Sequence, residues 1–209
     1  MPRASKVETQ SHRRAITDAS ARLMRERGIH GVTVAELMGA AGLTHGGFYG
    51  HFTSKDDLAG EACSHAFSES VARWKARAAA QPDSQAALRT LIESFLSTRS
   101  RDDAGRSCPT VALAGDVARE PMQSPVRAAF RSGIEQLIDV LTSLHSGADP
   151  AADRREALAQ FSAMVGAVVL ARAAAGIELS DEILRAAREQ LVRRAEGTSE
   201  GAAPRLRGA

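Results

Sequence analysis

The chain has 209 residues, of which 44% are hydrophobic and 4% aromatic, and its 27 basic and 25 acidic side chains give a net charge of +2. This hydrophobic content allows a folded core, and the frequent Ala and Leu residues favour an all-α protein. No run of about 18 apolar residues is present, which argues against a membrane-spanning helix. The basic N-terminus lacks the apolar stretch of a signal peptide, so we expect a cytoplasmic protein with no membrane partner.

The basic side chains are concentrated at the N-terminal end. Residues 1–55 hold eight Lys or Arg and four acids, a net charge of +4, whereas the remainder has a net charge of −2. A basic end on a mildly acidic body suits nucleic-acid binding at that end. The two cysteines, Cys63 and Cys108, fit no zinc-binding spacing and are expected to stay reduced, so we expect neither a metal nor a cofactor.

A helix is predicted near the N-terminus, after a polar segment. Residues 1–11 are expected to form a disordered basic arm. The apolar spacing that includes Ile16 and Leu23 predicts a helix over residues 12–27 with one buried face. Gly28 is a suitable residue to end this helix.

Two short helices are predicted next. Thr33 and Glu36 form the sequence pattern of a capping box, which predicts the start of a helix. Thr44 is expected to begin a second short helix, at residues 45–51. Because only the tight turn 41–44 separates the two helices, the pattern indicates a helix-turn-helix.

The rest of the chain is predicted to be helical with short breaks. Apolar periodicity and the positions of proline and glycine predict helices at residues 55–80, 84–99, 109–120, 126–144 and 181–194. Residues 101–107 are predicted to be a loop, and residues 196–209 a disordered tail. The segment 161–171 has no charged residue, and a helix that is apolar on all sides must be buried on all sides. We therefore expect its second face to meet another subunit.

The stretch GLTHGGFYGHFTSK, residues 42–55, resembles the recognition helix of TetR-family repressors. The shared features are a small hydroxyl residue, a glycine, an apolar residue before Tyr, then His with Phe, and finally Ser-Lys at the start of the next helix. The upstream stretch GVTVAEL, residues 31–37, is similar to the entry into the family's second helix. The specific resemblance covers residues 12–60.

The resemblance implies an all-α fold with two parts. These are an N-terminal three-helix helix-turn-helix domain that binds DNA, at residues 12–55, and a C-terminal helical ligand-binding and dimerisation domain, at residues 56–195. It also implies a ligand-responsive transcriptional repressor rather than an enzyme. Such a protein binds a palindromic double-stranded DNA operator as a homodimer and is released by a small-molecule effector.

The resemblance and the position of each side chain predict the DNA-binding residues Thr33, Thr44, His45, Gly46, Gly47, Tyr49, His51 and Lys55. The N-terminal half of a recognition helix enters the major groove, so His45 is expected to reach a base edge. By resemblance, Tyr49 and His51 donate to phosphate oxygens. Lys55 and Thr33 lie at helix starts, which favour phosphates. Core packing of Tyr49 and an ordinary surface position for His51 are the alternatives.

Three glycines, Gly46, Gly47 and Gly50, leave the expected DNA-facing surface nearly bare. Gly46 is expected where the two short helices pack closely, whereas the other two positions often carry larger side chains in the family. We therefore expect sequence specificity to depend on His45, on the basic arm around Arg3 and Lys6, and on DNA shape.

The resemblance also implies the organisation of the body. The last two long helices are expected to form a four-helix bundle with those of a partner subunit, and burial within one subunit is the alternative. The effector site is expected among the middle helices, and because no buried charge pattern stands out, the effector is expected to be largely apolar. The predicted pocket residues, any of which could instead be plain core, are Phe67, Trp74, Leu91, Phe95, Cys108, Met122, Phe130 and Phe161.

Cys108 suggests an alternative function, a repressor that senses oxidants or electrophiles. It precedes Pro109 at a predicted helix start and follows Arg106 by two residues. A helix N-terminus and a nearby cation both favour the reactive thiolate. A small buried residue beside a proline is the structural alternative, and Cys63 is expected to be inert.

Two other classes of protein fit the sequence less well. An enzyme could use Cys108 with His65 or His145, but no motif pairs these residues, and neither a phosphate-binding loop nor an HExxH motif is present. An architectural DNA-binding protein with no ligand would leave the large helical body without a role.

Overall fold

The computed structural model describes residues 6–145, 147 and 149–197, and this part of the chain consists of helices joined by turns. Two short 3₁₀ helices, His45–Gly50 and Ala104–Arg106, lie among the α-helices. The all-α fold predicted from the sequence is confirmed. The α-helices of the described residues are α1 Lys6–Arg27, α2 Val34–Ala40, α3 Lys55–Ala79, α4 Ser84–Phe95, α5 Thr98–Asp102, α6 Pro109–Arg119, α7 Pro125–Thr142, α8 Pro150–Ala173 and α9 Glu178–Gly197.

The first helix begins earlier than the sequence pattern predicts. Helix α1 starts at Lys6, so the expectation of disorder is wrong for residues 6–11. No proline or glycine interrupts this stretch, and Glu8 lies in the first turn, where a carboxylate interacts favourably with the helix dipole. Residues 1–5 of the predicted arm lie outside the described residues.

The middle and the end of the chain also differ from the prediction. Helix α4 ends at Phe95, and the short α5 reaches into the predicted loop, because the Ser97 hydroxyl accepts the Ser100 N–H at 3.2 Å and starts a new helical turn. Helix α9 continues to Gly197, so the predicted tail begins two residues too early. The rest of that tail, residues 198–209, lies outside the described residues.

Helix α8 contains a long, mostly apolar stretch. By length and composition alone it could cross a membrane, although polar residues such as Gln160 and Ser162 interrupt its apolar sequence. Its residues Ala157, Phe161, Met164 and Val168 are buried, however, and α8 contacts α4, α5 and α9. A core helix of a globular protein passes the same test, so the finding is weak evidence for a membrane span.

The chain divides into two compact units. Among the described residues, the first unit contains residues 6–72 together with residues 103–137, and the second contains residues 73–102 together with those described between 138 and 197. These units follow from packing alone. The division predicted at residue 55 concerns function, and it stays a prediction.

The core of the first unit is built from large apolar side chains of the N-terminal helices. Ile16 of α1, Leu37 of α2, Phe48 of the 3₁₀ helix, Phe52 and Leu58 of α3 are all buried. Complete burial of such a side chain contributes roughly 1.5–3 kcal/mol to stability. This shared core fixes the orientation of the short helices, so the outward side of the 3₁₀ helix is held in one position.

The second unit is centred on an aromatic cluster. The rings of Trp74, Phe95 and Phe161 contact one another edge to face, with centroids 5.8, 6.0 and 6.4 Å apart. Such pairs contribute about 0.5–1.5 kcal/mol beyond their buried area. Nearby, Arg101 of α5 bonds the Asp181 carboxylate of α9 at 2.6 Å, which joins two helices of this unit.

Candidate nucleic-acid interface

The start of α2 has the predicted capping box. The Thr33 hydroxyl accepts the Glu36 N–H at 3.2 Å, and the Glu36 carboxylate accepts the Thr33 N–H at 2.8 Å. The Thr33 backbone, the Thr33 hydroxyl and the Arg27 guanidinium together lower the pKa of Glu36 below its ordinary value. Thr33 is exposed at this helix start, where a phosphate could approach it.

The turn between α2 and the 3₁₀ helix depends on a left-handed glycine. Gly42 has a φ of +73°, which residues with a Cβ rarely adopt. The next residue, Leu43, donates its N–H to the Met38 carbonyl at 2.9 Å and closes the end of α2. The glycine therefore makes the sharp turn that the helix-turn-helix pattern requires.

The recognition segment, which we define as His45–Gly50, is a 3₁₀ helix with one buried and one exposed side. Phe48 is buried and stacks on Phe52 with centroids 5.9 Å apart. Tyr49 is 75% exposed, which contradicts the alternative that it packs in the core. His45 is exposed as well. Thr44 is also exposed, and its hydroxyl makes no capping bond to the 3₁₀ helix.

The glycines of the recognition segment face open space. A Cβ added to Gly46 or Gly50 would meet no atom within 4 Å, whereas one at Gly47 would meet only the Met38 side chain, at 3.6 Å. The expectation that Gly46 allows close helix packing is therefore wrong, since the glycine nearest to α2 is Gly47. The expectation of a nearly bare outward surface agrees with this geometry.

His51 lies at the end of the recognition segment, half-buried against α1. Its ring meets the ring of His12 edge to face, and the Arg13 guanidinium donates to its carbonyl. Arg13 also lies 4.2 Å above the Phe52 ring and forms an ion pair with Glu61. Burial, followed by the charges of His12 and Arg13, lowers the pKa of His51 below its ordinary value. The His51 side chain thus packs against α1 and is not an ordinary surface histidine.

The sequence did not indicate that His12 and Arg13 contact His51. Their contacts join residues 38 or more positions apart, which no local periodicity can indicate. The only available signal was their position on α1 beside its predicted apolar face.

Lys55 is the first residue of α3, and two acidic residues follow it directly. The Ser54 hydroxyl accepts the Asp57 N–H at 3.0 Å, and the Asp57 carboxylate accepts the N–H and hydroxyl of Thr53 at 3.1 Å each. Asp56 and Asp57 both lie in the first turn, where they already counter the helix dipole. A phosphate contact by Lys55 therefore rests on its own charge more than on free N–H groups, and it stays a prediction.

Helix α6 contacts the turn that leads into α2. The Asp116 carboxylate accepts the Ile29 N–H at 2.8 Å, and His30 pairs with Glu120 at 2.7 Å. Gly28 has a φ of +82°, and a Cβ there would lie 2.7 Å from the same Asp116 oxygen. Close backbone approach at Gly28 thus permits the bond that links α6 to the helix-turn-helix.

The predicted pocket residues fall into both compact units. Phe67, Cys108 and Phe130 are buried in the first unit, where the Phe67 and Phe130 rings meet edge to face at 5.4 Å. Met122 is 62% exposed, so it lacks the burial expected of a pocket residue. In the second unit the buried members of the predicted set are Trp74, Leu91, Phe95 and Phe161.

The two cysteines are both buried. Cys108 is 5% exposed and precedes Pro109 at the start of α6, as the sequence predicts. Burial raises the pKa of the Cys63 thiol to about 12, although the charge of Arg25 acts in the opposite direction. Cys63 is therefore a protonated, unreactive thiol at neutral pH.

Comparison with known proteins finds a family match in the N-terminal region. Residues 16–62 match the model of the family described as bacterial regulatory proteins, tetR family. The chain is 39% identical over 61 residues to the HTH-type transcriptional regulator AcrR of Shigella flexneri, covering 29% of this chain and 28% of that protein. It is 32% identical over 92 residues to the HTH-type transcriptional repressor KstR2 of Rhodococcus jostii strain RHA1, covering 44% and 45%. The chain thus matches less than half the length of either relative.

The fold of the chain resembles solved regulators over most of its length. A TetR transcriptional regulator from Chloroflexus aurantiacus J-10-FL superposes with a TM-score of 0.74 at 23% identity, covering 91% of this chain and 96% of that chain. At this identity the likeness concerns the fold. Together with the family match, it confirms the helix-turn-helix and the resemblance to TetR-family DNA-binding proteins.

Proposed function

We propose that this chain, whose residues 16–62 match the TetR family model, is a transcriptional repressor released from a palindromic operator by a small-molecule effector. The observation that carries the proposal is the recognition segment, which exposes His45 and Tyr49 while Phe48 anchors it in the core. Repression, rather than activation, is supported by the Rhodococcus relative, which is a transcriptional repressor by name. Both curated relatives are named as regulators, which supports a protein that is not an enzyme.

The interface divides into residues that specify sequence and residues that position the protein. His45 begins the recognition segment and reaches a base edge, whereas Tyr49 and His51 donate to phosphates. Thr33, Thr44 and Lys55 stand at helix starts and bind the backbone. Because the glycines carry no side chain into the groove, the segment reads few bases directly, and DNA shape contributes to the choice of operator.

Dimerisation is supported by an apolar surface on α8 and the start of α9. Ile177 and Leu170 are 61% and 59% exposed, and the other large apolar side chains exposed there are Leu158, Val169 and Leu179. A Cβ at Gly166 of α8 would meet no atom within 4 Å, so a helix of a second copy could approach closely. A second copy that covers this surface gives two-fold symmetry, which requires an operator with inverted symmetry.

Effector release is proposed to act through α6. This helix holds the turn after α1 through Asp116 and Glu120, so a ligand that favours a shifted α6 would move the turn and the recognition segment with it. The effector is proposed to be largely apolar, because the predicted pocket residues are mostly aromatic. Reciprocal coupling then requires DNA to weaken effector binding by the same factor, typically about 5–150-fold.

The central test selects bound duplexes from random DNA and then screens apolar compounds for release. We expect a consensus with inverted symmetry and a stoichiometry of two chains per site. Effector affinity is then measured with and without the selected operator. A consensus without inverted symmetry would refute the dimeric mode of binding, and an effector affinity that is identical with and without operator would refute the release mechanism.

A redox- or electrophile-sensing repressor acting through Cys108 is the second candidate. The observation in its favour is the position of Cys108 at the start of α6. This helix accepts a hydrogen bond from the turn that leads into α2. Alkylation by a small electrophile at neutral pH should then be faster at Cys108 than at Cys63 and should release DNA, while Cys108→Ser should bind DNA without responding. Equal alkylation rates, or DNA binding that survives modification, would show that Cys108 is structural.

A further inference from the structure

A pair of imidazoles lies at the C-terminal end of the recognition segment. His12 of α1 and His51 have ring centroids 6.1 Å apart and ring planes at 82°. His12 was not among the residues predicted to bind DNA, yet the fold places it beside one that was. The pair therefore extends the candidate interface from the helix-turn-helix onto α1.

The histidines of the chain differ in their partners. His30 pairs with Glu120, His65 with Asp18 and Glu69, and His145 with Gln160. Among the described contacts, His12, His45 and His51 have no carboxylate or amide partner. All three lie at the candidate interface, where DNA would supply the negative charge that the protein does not.

The charges around His51 are arranged unfavourably for a proton in the free protein. His12 and Arg13 of α1 are the groups that act on it, and both oppose a positive charge. Two carboxylates of α3 are engaged by other groups. One of them, Glu61, accepts from Arg13 and Thr17. The other acid, Asp57, accepts from Thr53.

One nitrogen of His51 cannot take part in DNA binding. Its Nδ1 atom is buried and has no hydrogen-bond partner. Only Nε2 can therefore reach solvent or a phosphate, and the free protein favours the neutral ring. The same burial and the same two neighbouring groups lower the pKa of His51.

We propose that His12 and His51 form a proton-linked contact to the DNA backbone, so that DNA binding takes up protons and becomes tighter as the pH falls. This inference rests on the proposed DNA-binding function. A phosphate beside His12 and His51 would supply the negative charge that the two rings lack in the free protein. An adjacent anion favours the charged form of each ring. Binding that favours protonation must strengthen as protons become more abundant, by the same linkage that relates stability to pH.

The expected size follows from the number of rings. Each subunit contributes two neighbouring imidazoles, which together are expected to take up about one proton when DNA binds. We expect DNA affinity per subunit to rise about tenfold for each unit that the pH falls between about 8 and 6. Ionic strength must be held constant, because salt alone changes the affinity of any protein for DNA.

The experiment measures the affinity for a selected duplex, by fluorescence anisotropy, from pH 5.5 to 8.5. His12→Gln and His51→Gln are each expected to remove about half of the pH dependence. His30→Gln is the matched control, because this ring already pairs with the Glu120 carboxylate and lies outside the recognition segment. A pH dependence that persists in both His12→Gln and His51→Gln, or disappears only in His45→Gln, would overturn the inference.

A second measurement needs no variant. Imidazole resonances of the wild-type protein, titrated alone and with the duplex, should show higher pKa values for His12 and His51 when DNA is bound. Unchanged titration of both rings would also overturn the inference. If no selected duplex binds at any pH, the proposed function fails, whereas tight binding that is independent of pH refutes the proton linkage alone.

Discussion

The recognition segment and the α8–α9 surface are both exposed, but they expose opposite chemistry. The recognition segment presents His45, Tyr49 and bare backbone over an aromatic anchor. The α8–α9 surface presents large apolar side chains such as Leu170 and Ile177. Polar groups and backbone suit a hydrated, charged partner such as DNA, whereas exposed apolar side chains suit an apolar partner such as a second copy. The difference shows how one chain can offer two surfaces to two kinds of partner.

The largest effect should follow from placing a charge on the apolar surface. Leu170→Glu should prevent dimerisation, because a carboxylate would be buried without a partner. Loss of two-site binding should then weaken affinity for the full operator by about 10²–10⁴-fold. Sedimentation and anisotropy measure the two effects. Gln85→Glu, an exposed substitution on α4, is the control, and a Leu170→Glu protein that remains dimeric would show that the dimer uses another surface.

A smaller effect should separate the specifying residue from a positioning residue at the other surface. His45→Ala should reduce discrimination between operator and mismatched DNA by about 1–3 kcal/mol. Lys55→Ala should weaken both kinds of DNA together and lower the salt slope by about one. Titrations at several salt concentrations test both variants. A Lys55→Ala protein with an unchanged salt slope would show that this side chain does not reach the backbone.

Two glycines of the first unit should respond in opposite directions to alanine. Gly28→Ala should lower the free energy of unfolding by about 1–2 kcal/mol, because its φ is +82° and the new Cβ would meet Asp116. Gly46→Ala should raise it by about 0.5–1 kcal/mol, because the position is open and its φ is not positive. Urea unfolding gives both values. Destabilisation of Gly46→Ala would contradict the open surface of the recognition segment.

The smallest effect concerns the pH dependence of the capping box. Because the folded protein lowers the pKa of Glu36, this carboxylate stabilises α2 above its unfolded pKa, and the contribution is lost as the pH falls through the folded value. Glu36→Gln should therefore show a weaker loss of stability between about pH 5 and pH 3 than the wild type. Glu26→Gln, on α1, is the control for acidic residues in general. Parallel acid-unfolding curves for wild type and Glu36→Gln would exclude a contribution from this carboxylate.

The sequence predicted best those features that depend on neighbouring residues. The Thr33–Glu36 capping box and the turn at residues 41–44 both follow from local spacing and backbone preference, and each is present in the structure. The recognition segment itself was indicated by its resemblance to a known family. Local patterns carry this information because the interactions join residues only a few positions apart.

Features that depend on long-range packing could not be predicted. The contact of His12 with His51 and the bond from Asp116 to Ile29 join distant parts of the chain. The exposure of Met122 also depends on neighbours that its apolar character does not reveal. Periodicity indicates which face of a helix is buried, but it does not indicate which other helix covers that face.

The open space at Gly46 and Gly50 has a consequence for how such a regulator can evolve. A Cβ added at either position meets no atom within 4 Å, so a side chain can begin there without a change in the core. New side chains can thus be tried against DNA without loss of the fold. Descendants of this chain could acquire new operators by single substitutions, while the aromatic anchor at Phe48 remains unchanged.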